Sequence, residues 1–213
     1  FGSRFKCSRR RGFHSISMSL ICHCLGFILL PWCLAGHNVS NVLREAASTM
    51  TIAKFATLST FGGDGSINAR VIYPKPPNAT GESGITLSFI HFATNKNSRK
   101  FKELLANSQA TLLYYDDAGK GEVTLKGRVL VCNSTEAADG WYDRWAKTYP
   151  EGPNTPFYTL LRVESHTMEF VSYVRYHVDE GGSRPDWRPF TLSRSVDGDW
   201  RYVSPPSAMM VDL

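Results

Sequence analysis

Hydrophobic and polar residues alternate with a period of two along several short stretches of this chain. Residues 55–61 and 67–73 both alternate in this way, and the turn sequence Gly62-Gly-Asp-Gly65 lies between them. Two alternating runs joined by a glycine-rich turn are typical of a β-hairpin. The same signals predict further strands at residues 85–93, 109–115, 122–132, 157–163 and 167–173, and a last hairpin from residues 188–194 and 199–203.

Helical spacing of apolar residues is confined to three segments. Residues 40–51 form the first, and the second begins near Ser98, where Phe101, Leu104 and Leu105 recur at helical intervals. Residues 135–148 form the third, which is rich in aromatic side chains that we expect to pack on the sheet. The short connections favour antiparallel pairing, because parallel crossovers need a dozen or more residues. The pattern therefore predicts a mainly β protein, with a closed or nearly closed small barrel and flanking helices.

The start of the second helix carries an unusual charge pattern. Arg99, Lys100 and Lys102 lie in or next to its first turn, where the positive end of the helix dipole makes a cation unfavourable by about 0.3–1 kcal/mol. A bound anion would reverse this cost, since free helix amides, the Ser98 hydroxyl and cations together form a phosphate site. A solvated basic helix end is the alternative interpretation.

Charge is distributed unevenly along the 213 residues. The chain has 24 Lys and Arg against 19 Asp and Glu, and six of these cations but none of the acids lie in residues 1–44. The remainder therefore has 18 cations against 19 acids, so a general nucleic-acid-binding face is not expected.

Residues 1–38 have the composition of a targeting segment. The cluster Arg9-Arg10-Arg11 precedes an apolar run from Ser19 to Gly36, which contains Pro31. This pattern predicts a cleavable secretory signal, with a membrane anchor and an organelle presequence as alternatives, and a cytoplasmic location if the segment is not part of the natural protein. Four of the five cysteines lie here, so no disulfide framework is expected in the body of the chain, and no metal site is predicted. We divide the chain into this leader, a domain at 39–175 and an extension at 176–213.

Four segments in order resemble the motifs of the FMN-binding split barrels related to pyridoxamine 5′-phosphate oxidase. They are residues 70–75 (RVIYPK), 92–100 (FATNKNSRK), 107–115 and 122–127 (EVTLKG). The aromatic segment at 141–153 is most similar to the branch of bacterial general stress proteins. The resemblance implies a six-stranded antiparallel split barrel, a homodimer, and FMN bound in the cleft between the two subunits.

The resemblance also implies which residues hold the cofactor. Arg70, Lys75, Ser98, Arg99 and Lys100 would bind its phosphate. Residues flanking the ring complete the set of expected contacts, namely Val71, Ile72, Tyr73, Thr94 and Glu122. FAD and a deazaflavin are alternative cofactors.

Departures from the family pattern affect the predicted function. The oxidase has Gln where this chain has Glu122, and a carboxylate donates no hydrogen bond unless it is protonated. The Arg-Pro pair that reads the substrate phosphate in the oxidase is absent after the fifth strand, where residues 141–153 take its place, so we do not expect vitamin B6 oxidation. His91 and Tyr115 are candidates for acid–base roles by location alone.

The sequence therefore predicts a flavin-dependent oxidoreductase that acts on a small-molecule substrate or an electron partner. The alternative is a non-catalytic secreted glycoprotein that binds a partner, which the leader and the sequons at Asn38, Asn78 and Asn133 favour. Pyridoxamine 5′-phosphate oxidase itself is the third hypothesis.

Overall fold

A computed structural model describes residues 39–77, 87–119, 121–172 and 189–203. The leader, the sequons at Asn38 and Asn78, and most of the predicted extension lie outside these ranges. The described helices are α1 (Val39–Ala53), α2 (Arg99–Ala106) and α3 (Ser134–Asp139). The strands are β1 (Ala56–Phe61), β2 (Ile67–Ile72), β3 (Phe89–Asn95), β4 (Gln109–Asp116), β5 (Gly121–Val131), β6 (Tyr158–Ser172), β7 (Phe190–Arg194) and β8 (Trp200–Tyr202).

All eight described strands belong to one antiparallel sheet. Its order is β2-β1-β4-β5-β6-β7-β8, and β3 pairs separately with the first half of β6. A single bridge between Pro74 and Phe92, with a hydrogen bond from Lys75 N to His91 O, links the end of β2 to β3. The mainly β, split-barrel class is confirmed. The sheet has eight strands rather than six, and it is not closed by a continuous ladder among the described residues.

The core of the sheet is a row of aliphatic side chains that runs across five strands. Leu58, Leu112, Leu125, Met168 and Leu192 are consecutive cross-strand partners, and each is fully buried. Burying one such side chain contributes about 1.5–3 kcal/mol, so this row is a major source of stability. Helix α1 packs on β4 and β5 through its apolar face, which comprises Val42, Leu43, Ala46, Ala47 and Met50.

Strand β6 connects the two parts of the barrel. Its first half pairs with β3 and the end of β5, and its second half pairs with the beginning of β5 and with β7. The register against β5 shifts between Lys126 and Gly127. A β-bulge of this kind bends a strand and increases its twist. Residues 157–163 and 167–173, predicted as two paired strands, are therefore one bent strand, because the bulge turns the strand without breaking it.

Two other predicted elements differ from the structure. The aromatic segment is not one helix over 135–148: α3 ends at Asp139, and a short 3₁₀ turn follows at Asp143–Trp145. Gly140 is the C-cap of α3, and its backbone N–H donates to Glu136 O and Ala138 O. Strand β3 begins at Phe89 and continues to Asn95, two residues beyond the predicted end. The predicted packing of the aromatic side chains is confirmed, since Trp145 is buried against Tyr149, Tyr158 and Leu160.

No described helix is long and apolar enough to cross a membrane. Nor does any group of three His, Cys, Asp or Glu side chains that could hold a metal ion occur within the four described ranges.

The bulge gives a direct test of the fold at Gly127. A Cβ atom added there would lie 2.2 Å from Glu164 O and 3.0 Å from Ser165 Cα, so Gly127→Ala forces two backbones apart. We expect a loss of about 1–3 kcal/mol in the free energy of unfolding, measured by chemical denaturation. Gly63→Ala is the matched control, since no atom lies within 4 Å of the added Cβ. Equal stability of the two variants would contradict the bulge geometry.

Candidate functional site

Helix α2 begins immediately after Ser98, as the sequence predicts. Ser98 is the N-cap, and its Oγ accepts a hydrogen bond from Phe101 N at 3.3 Å. The Thr94 hydroxyl at the end of β3 lies 3.2 Å from the same Oγ. Arg99 and Lys100 are the first two helical residues, and their amides precede the first intrahelical hydrogen bond. The helix start thus combines free donors, two hydroxyls and two cations.

Because side chains alternate along β2, Arg70 points inward, towards Glu103 of α2. Its Nη2 lies 2.5 Å from Glu103 Oε2, and its Nη1 donates to Thr60 Oγ1 on β1. The Arg99 Nε lies 3.3 Å from the other oxygen of Glu103. The structure therefore brings Arg70 and Arg99 together around one carboxylate, which the sequence analysis did not anticipate.

Glu103 is almost fully buried, with 8% of its side chain exposed. Besides the two arginines, Thr60 Oγ1 donates to it at 2.6 Å and Asn68 Nδ2 at 3.0 Å. The hydrogen bond from Thr60, followed by those from Arg70, lowers the pKa of this carboxyl against the opposing effect of burial. Glu103 is therefore ionised at neutral pH. The available sequence signal was a lone acid in a basic helix, four residues after Arg99.

Lys100 follows Arg99 in the first turn of α2. Its pKa is lowered, first by burial and then by the positive charge of Arg70. Two cations held together in this way are unfavourable without an anion, and an anion between them would raise the pKa of Lys100 again. With Arg99 and Glu103 included, the cluster carries three positive charges and one negative charge. Its net charge of +2 matches a phosphate monoester, which carries about −1.5 to −2 at neutral pH.

Lys75 does not join this cluster. Its Nζ lies 3.4 Å from Gly140 O and 3.5 Å from Trp141 O, at the C-terminal end of α3. The predicted five-residue phosphate set is therefore divided: Arg70 of β2 joins α2, the helix that Ser98, Arg99 and Lys100 begin, whereas Lys75 lies against another element. The physical reason is that the chain leaves β2 after Ile72 and bridges to β3 at Pro74.

Lys75 instead lines a cavity of about 400 Å³ beneath α3. Pro76, Pro77 and Phe89 form its apolar wall, and polar groups complete the lining, namely His91, Glu136, Asp139 and Gly140. The pKa of His91 is lowered by burial and then by the charges of Lys75 and Arg162, so its imidazole is neutral at neutral pH. Glu136 is already engaged by Arg162 at 2.8 Å.

Val71 and Glu122 lie on the outer face of the sheet. Val71 on β2 is the cross-strand partner of Thr57 on β1, and Thr57 is the partner of Leu113 on β4. Leu113 in turn is the partner of Thr124 on β5, so these four residues form one row across the sheet. Glu122 lies two residues from Thr124 on the same face of β5, and Thr124 Oγ1 donates to it at 3.5 Å. Exposed apolar side chains are frequent here: Val71 is 67% exposed and Tyr115 is 55% exposed.

Ile72 and Tyr73 serve mainly in packing. Ile72 is buried in the main core, and Tyr73 packs against Phe55 and Tyr142. The Tyr73 hydroxyl accepts a hydrogen bond from Arg144 Nη1 at 2.8 Å, and its backbone carbonyl accepts one from Trp145 Nε1 at 2.9 Å. These contacts fix the backbone of residues 70–75, the segment that the resemblance places along the ring of the cofactor.

Known proteins of similar sequence and fold support this description of the chain. Residues 43–172 match the family model described as pyridoxamine 5′-phosphate oxidase. A pyridoxine/pyridoxamine 5′-phosphate oxidase of Burkholderia lata is 33% identical over 96 residues, which are 45% of this chain and 39% of that enzyme. The matched stretch thus spans well under half of the enzyme's length.

Three solved structures have a similar fold. A Clostridium acetobutylicum protein related to general stress protein 26 superposes with a TM-score of 0.56 at 18% identity, covering 74% of this chain and 96% of that one. A pyridoxamine 5′-phosphate oxidase-related, FMN-binding protein of Nostoc punctiforme gives 0.53 at 13% identity, covering 84% and 100%. PhzG of Burkholderia lata, in complex with tetrahydrophenazine-1-carboxylic acid, gives 0.55 at 20% identity, covering 77% and 91%.

At these identities the structural similarity establishes the fold alone. The family model is more informative, because it covers more than half of the chain and ends with β6, the strand on which both parts of the sheet pair. The chain therefore belongs to the pyridoxamine 5′-phosphate oxidase family, with an FMN-binding split-barrel fold.

Proposed function

We propose that this chain binds FMN as a homodimer and acts as a flavin-dependent oxidoreductase on a small molecule or an electron partner. The observation that carries the proposal is the start of α2, where the Ser98 cap is followed by Arg99 and Lys100, and where Arg70 of β2 pairs with Glu103 of the same helix. This is the arrangement expected of a phosphate site, because the anion offsets the repulsion between the cations. FAD and a deazaflavin are the alternative cofactors.

The chain's own residues would have distinct roles towards the cofactor. Arg70, Lys100 and the helix amides would hold its phosphate, with Ser98 and Thr94 beside them. The backbone of residues 70–75 would lie along the ring, held in place by Trp145. Bound flavin supplies the electron transfer itself, and the protein contributes position and electrostatics.

The substrate would enter near the cavity at Lys75. This cavity has a hydrophobic wall, a neutral His91 and the carboxylates of Glu136 and Asp139. Arg162 pairs with Glu136 and Lys75 lines the same cavity, so cations offset these carboxylates. Lys75 is the one cation among the described lining residues, so the cavity supports a substrate without a phosphate group, in agreement with the absence of the oxidase's Arg-Pro pair after the fifth strand.

Homodimer formation would cover the exposed outer face of β2, β1, β4 and β5. Val71, Leu113 and Tyr115 are exposed on this face, and Phe61 and Ile67 are exposed at its edge. Exposed apolar groups that cluster in this way are typical of interfaces. A second subunit here would also shield the outer side of β2, on which Val71 lies.

A non-catalytic glycoprotein is the alternative function. Asn133, the one sequon within the described residues, is exposed at the N-cap of α3, and its Oδ1 accepts from Glu136 N at 2.9 Å. Its Nδ2 is the atom that a glycan would modify. Glycan found on Asn133 by mass spectrometry of protein from a secreting host, together with failure to bind any flavin, would favour this alternative.

Replacing Lys100 tests the phosphate site. We expect Lys100→Ala to weaken FMN binding about tenfold or more, which is the effect of losing one charge-assisted contact. Binding of riboflavin, which lacks the phosphate, should change less than twofold. Both affinities can be measured by flavin fluorescence titration of protein stripped of its cofactor. Lys126→Ala is the matched control, because it removes the same charge from β5, where Lys126 pairs with Glu169. Wild-type FMN affinity in Lys100→Ala would reject the site.

Vitamin B6 oxidation provides a second test, this time of the substrate. We expect the FMN-loaded protein to produce no pyridoxal 5′-phosphate from pyridoxamine 5′-phosphate, because the Arg-Pro pair that binds the substrate phosphate in the oxidase is absent after the fifth strand. Product formation can be followed by its absorbance, with an authentic pyridoxamine 5′-phosphate oxidase as the positive control. Turnover at a rate comparable to that control would show that the chain is the oxidase itself.

The molecular mass of the protein in solution tests whether the outer face forms a dimer interface. We expect Leu113→Asp to convert a dimer to a monomer, because the substitution buries a charge in the proposed interface. Light scattering coupled to size-exclusion chromatography gives the mass directly. Val196→Asp, in the turn between β7 and β8, places the same charge on a fully exposed site and should leave the mass unchanged. A monomeric wild-type protein would contradict the proposed dimer.

A further inference from the structure

We propose that Glu103 is a positioning residue that holds the Arg70 guanidinium in place for the flavin phosphate. The inference rests on the proposed function, which supplies the ligand, and it concerns a carboxylate that the family resemblance did not assign. A carboxylate within a cluster that binds an anion is unexpected on charge alone. Its contacts show what it can contribute.

Arg70 is fixed along one edge of its guanidinium. Nη2 donates to Glu103 Oε2, Nη1 donates to Thr60 Oγ1, and the Thr60 hydroxyl itself donates to Glu103. These three groups form a closed set of hydrogen bonds on three different elements: β1, β2 and α2. A guanidinium has five N–H donors in a rigid plane, so this arrangement uses two of them and leaves three for a ligand.

Glu103 is itself held in a single orientation. Asn68 Nδ2 reaches one of its oxygens at 3.0 Å, and Arg99 Nε reaches the same oxygen at 3.3 Å. Four donors around two buried oxygens leave the carboxylate little rotational freedom. Arg70 is thus bonded to a group that cannot move, which lowers the entropy cost of ordering its long side chain when a phosphate binds.

The carboxylate also allows Arg70 to remain buried before any ligand arrives. Only 17% of the Arg70 side chain is exposed, and an unpaired charge in that position would be costly. Lys100 adds a second positive charge nearby. Glu103 offsets part of this charge, and the cluster keeps a net +2 for a dianion. The same residue therefore stabilises the empty site and aligns its donors.

Charge counting and positioning predict opposite results for Glu103→Gln. Removing one negative charge raises the net charge of the cluster to +3, so electrostatics alone predicts tighter FMN binding. Positioning predicts weaker binding, because a glutamine amide cannot accept from all four donors and releases the guanidinium. The experiment measures the dissociation constants of riboflavin and of FMN on the full chain stripped of flavin. Their ratio gives the contribution of the phosphate to binding.

We expect Glu103→Gln to weaken FMN binding about tenfold while riboflavin binding changes less than twofold. Glu169→Gln is the matched control, because Glu169 also bonds a cation, Lys126, at 2.6 Å on another part of the sheet. FMN affinity in Glu103→Gln equal to or above that of the wild type would overturn the inference. Equal weakening of FMN and riboflavin binding would overturn it as well, since that result indicates a purely structural role.

Two further measurements keep the inference testable. Thr60→Val removes the hydroxyl that bridges Arg70 and Glu103 with little change of shape, and we expect a smaller, severalfold loss of FMN affinity; no loss would count against positioning. If circular dichroism shows that Glu103→Gln does not fold, the FMN affinity of Thr60→Val alone tests the positioning role. Failure of the wild type to distinguish FMN from riboflavin would instead reject the phosphate site itself, so the two failures are separable.

Discussion

The ion pair between Arg70 and Glu103 connects the parts of this protein on which its candidate site depends. Arg70 lies on β2, Thr60 on β1, and Glu103 on α2, and a single set of hydrogen bonds joins all three. Helix α2 is short, with eight residues, and short helices are marginal without tertiary contacts. The ion pair joins the middle of this helix to the hairpin. Free amides and cations at the helix start are therefore held close to β2.

Strand β6 also joins parts of the molecule on which the site depends. Its bulge opposite Gly127 lets one strand contribute to two differently oriented parts of the sheet. The first part carries β3, which leads into Thr94 and Ser98. The second carries the row of buried aliphatic residues. A straight β6 would give a flatter sheet, and β3 could not then approach the end of β2 at Pro74.

The two faces of β2 have different tasks, which follow from strand alternation alone. Arg70 and Ile72 point inward, to the ion pair and the core, whereas Val71 points outward to an apolar surface. A cofactor bound at Arg70 on one side and a second subunit on the other would therefore meet at the same strand. With the proposed cofactor and second subunit in place, one short motif would contribute to ligand binding, core packing and association.

The sequence by itself determined most of the architecture and the position of the helix start. Period-two alternation located the hairpin of β1 and β2, and Ser98 with its apolar followers located α2, because both signals are local. The motifs around Arg70, Ser98 and Lys100 were also sufficient to indicate a phosphate site.

Only the tertiary structure decided which distant residues meet. Lys75 is five residues from Arg70, yet the bridge at Pro74 turns it towards α3, and Glu103 joins the cation cluster from 33 residues away. The sequence also did not predict the bend in β6, because the bend depends on the close approach of Gly127 to the Glu164 backbone. Such contacts depend on strand register and chain crossing, which no local pattern of residues encodes.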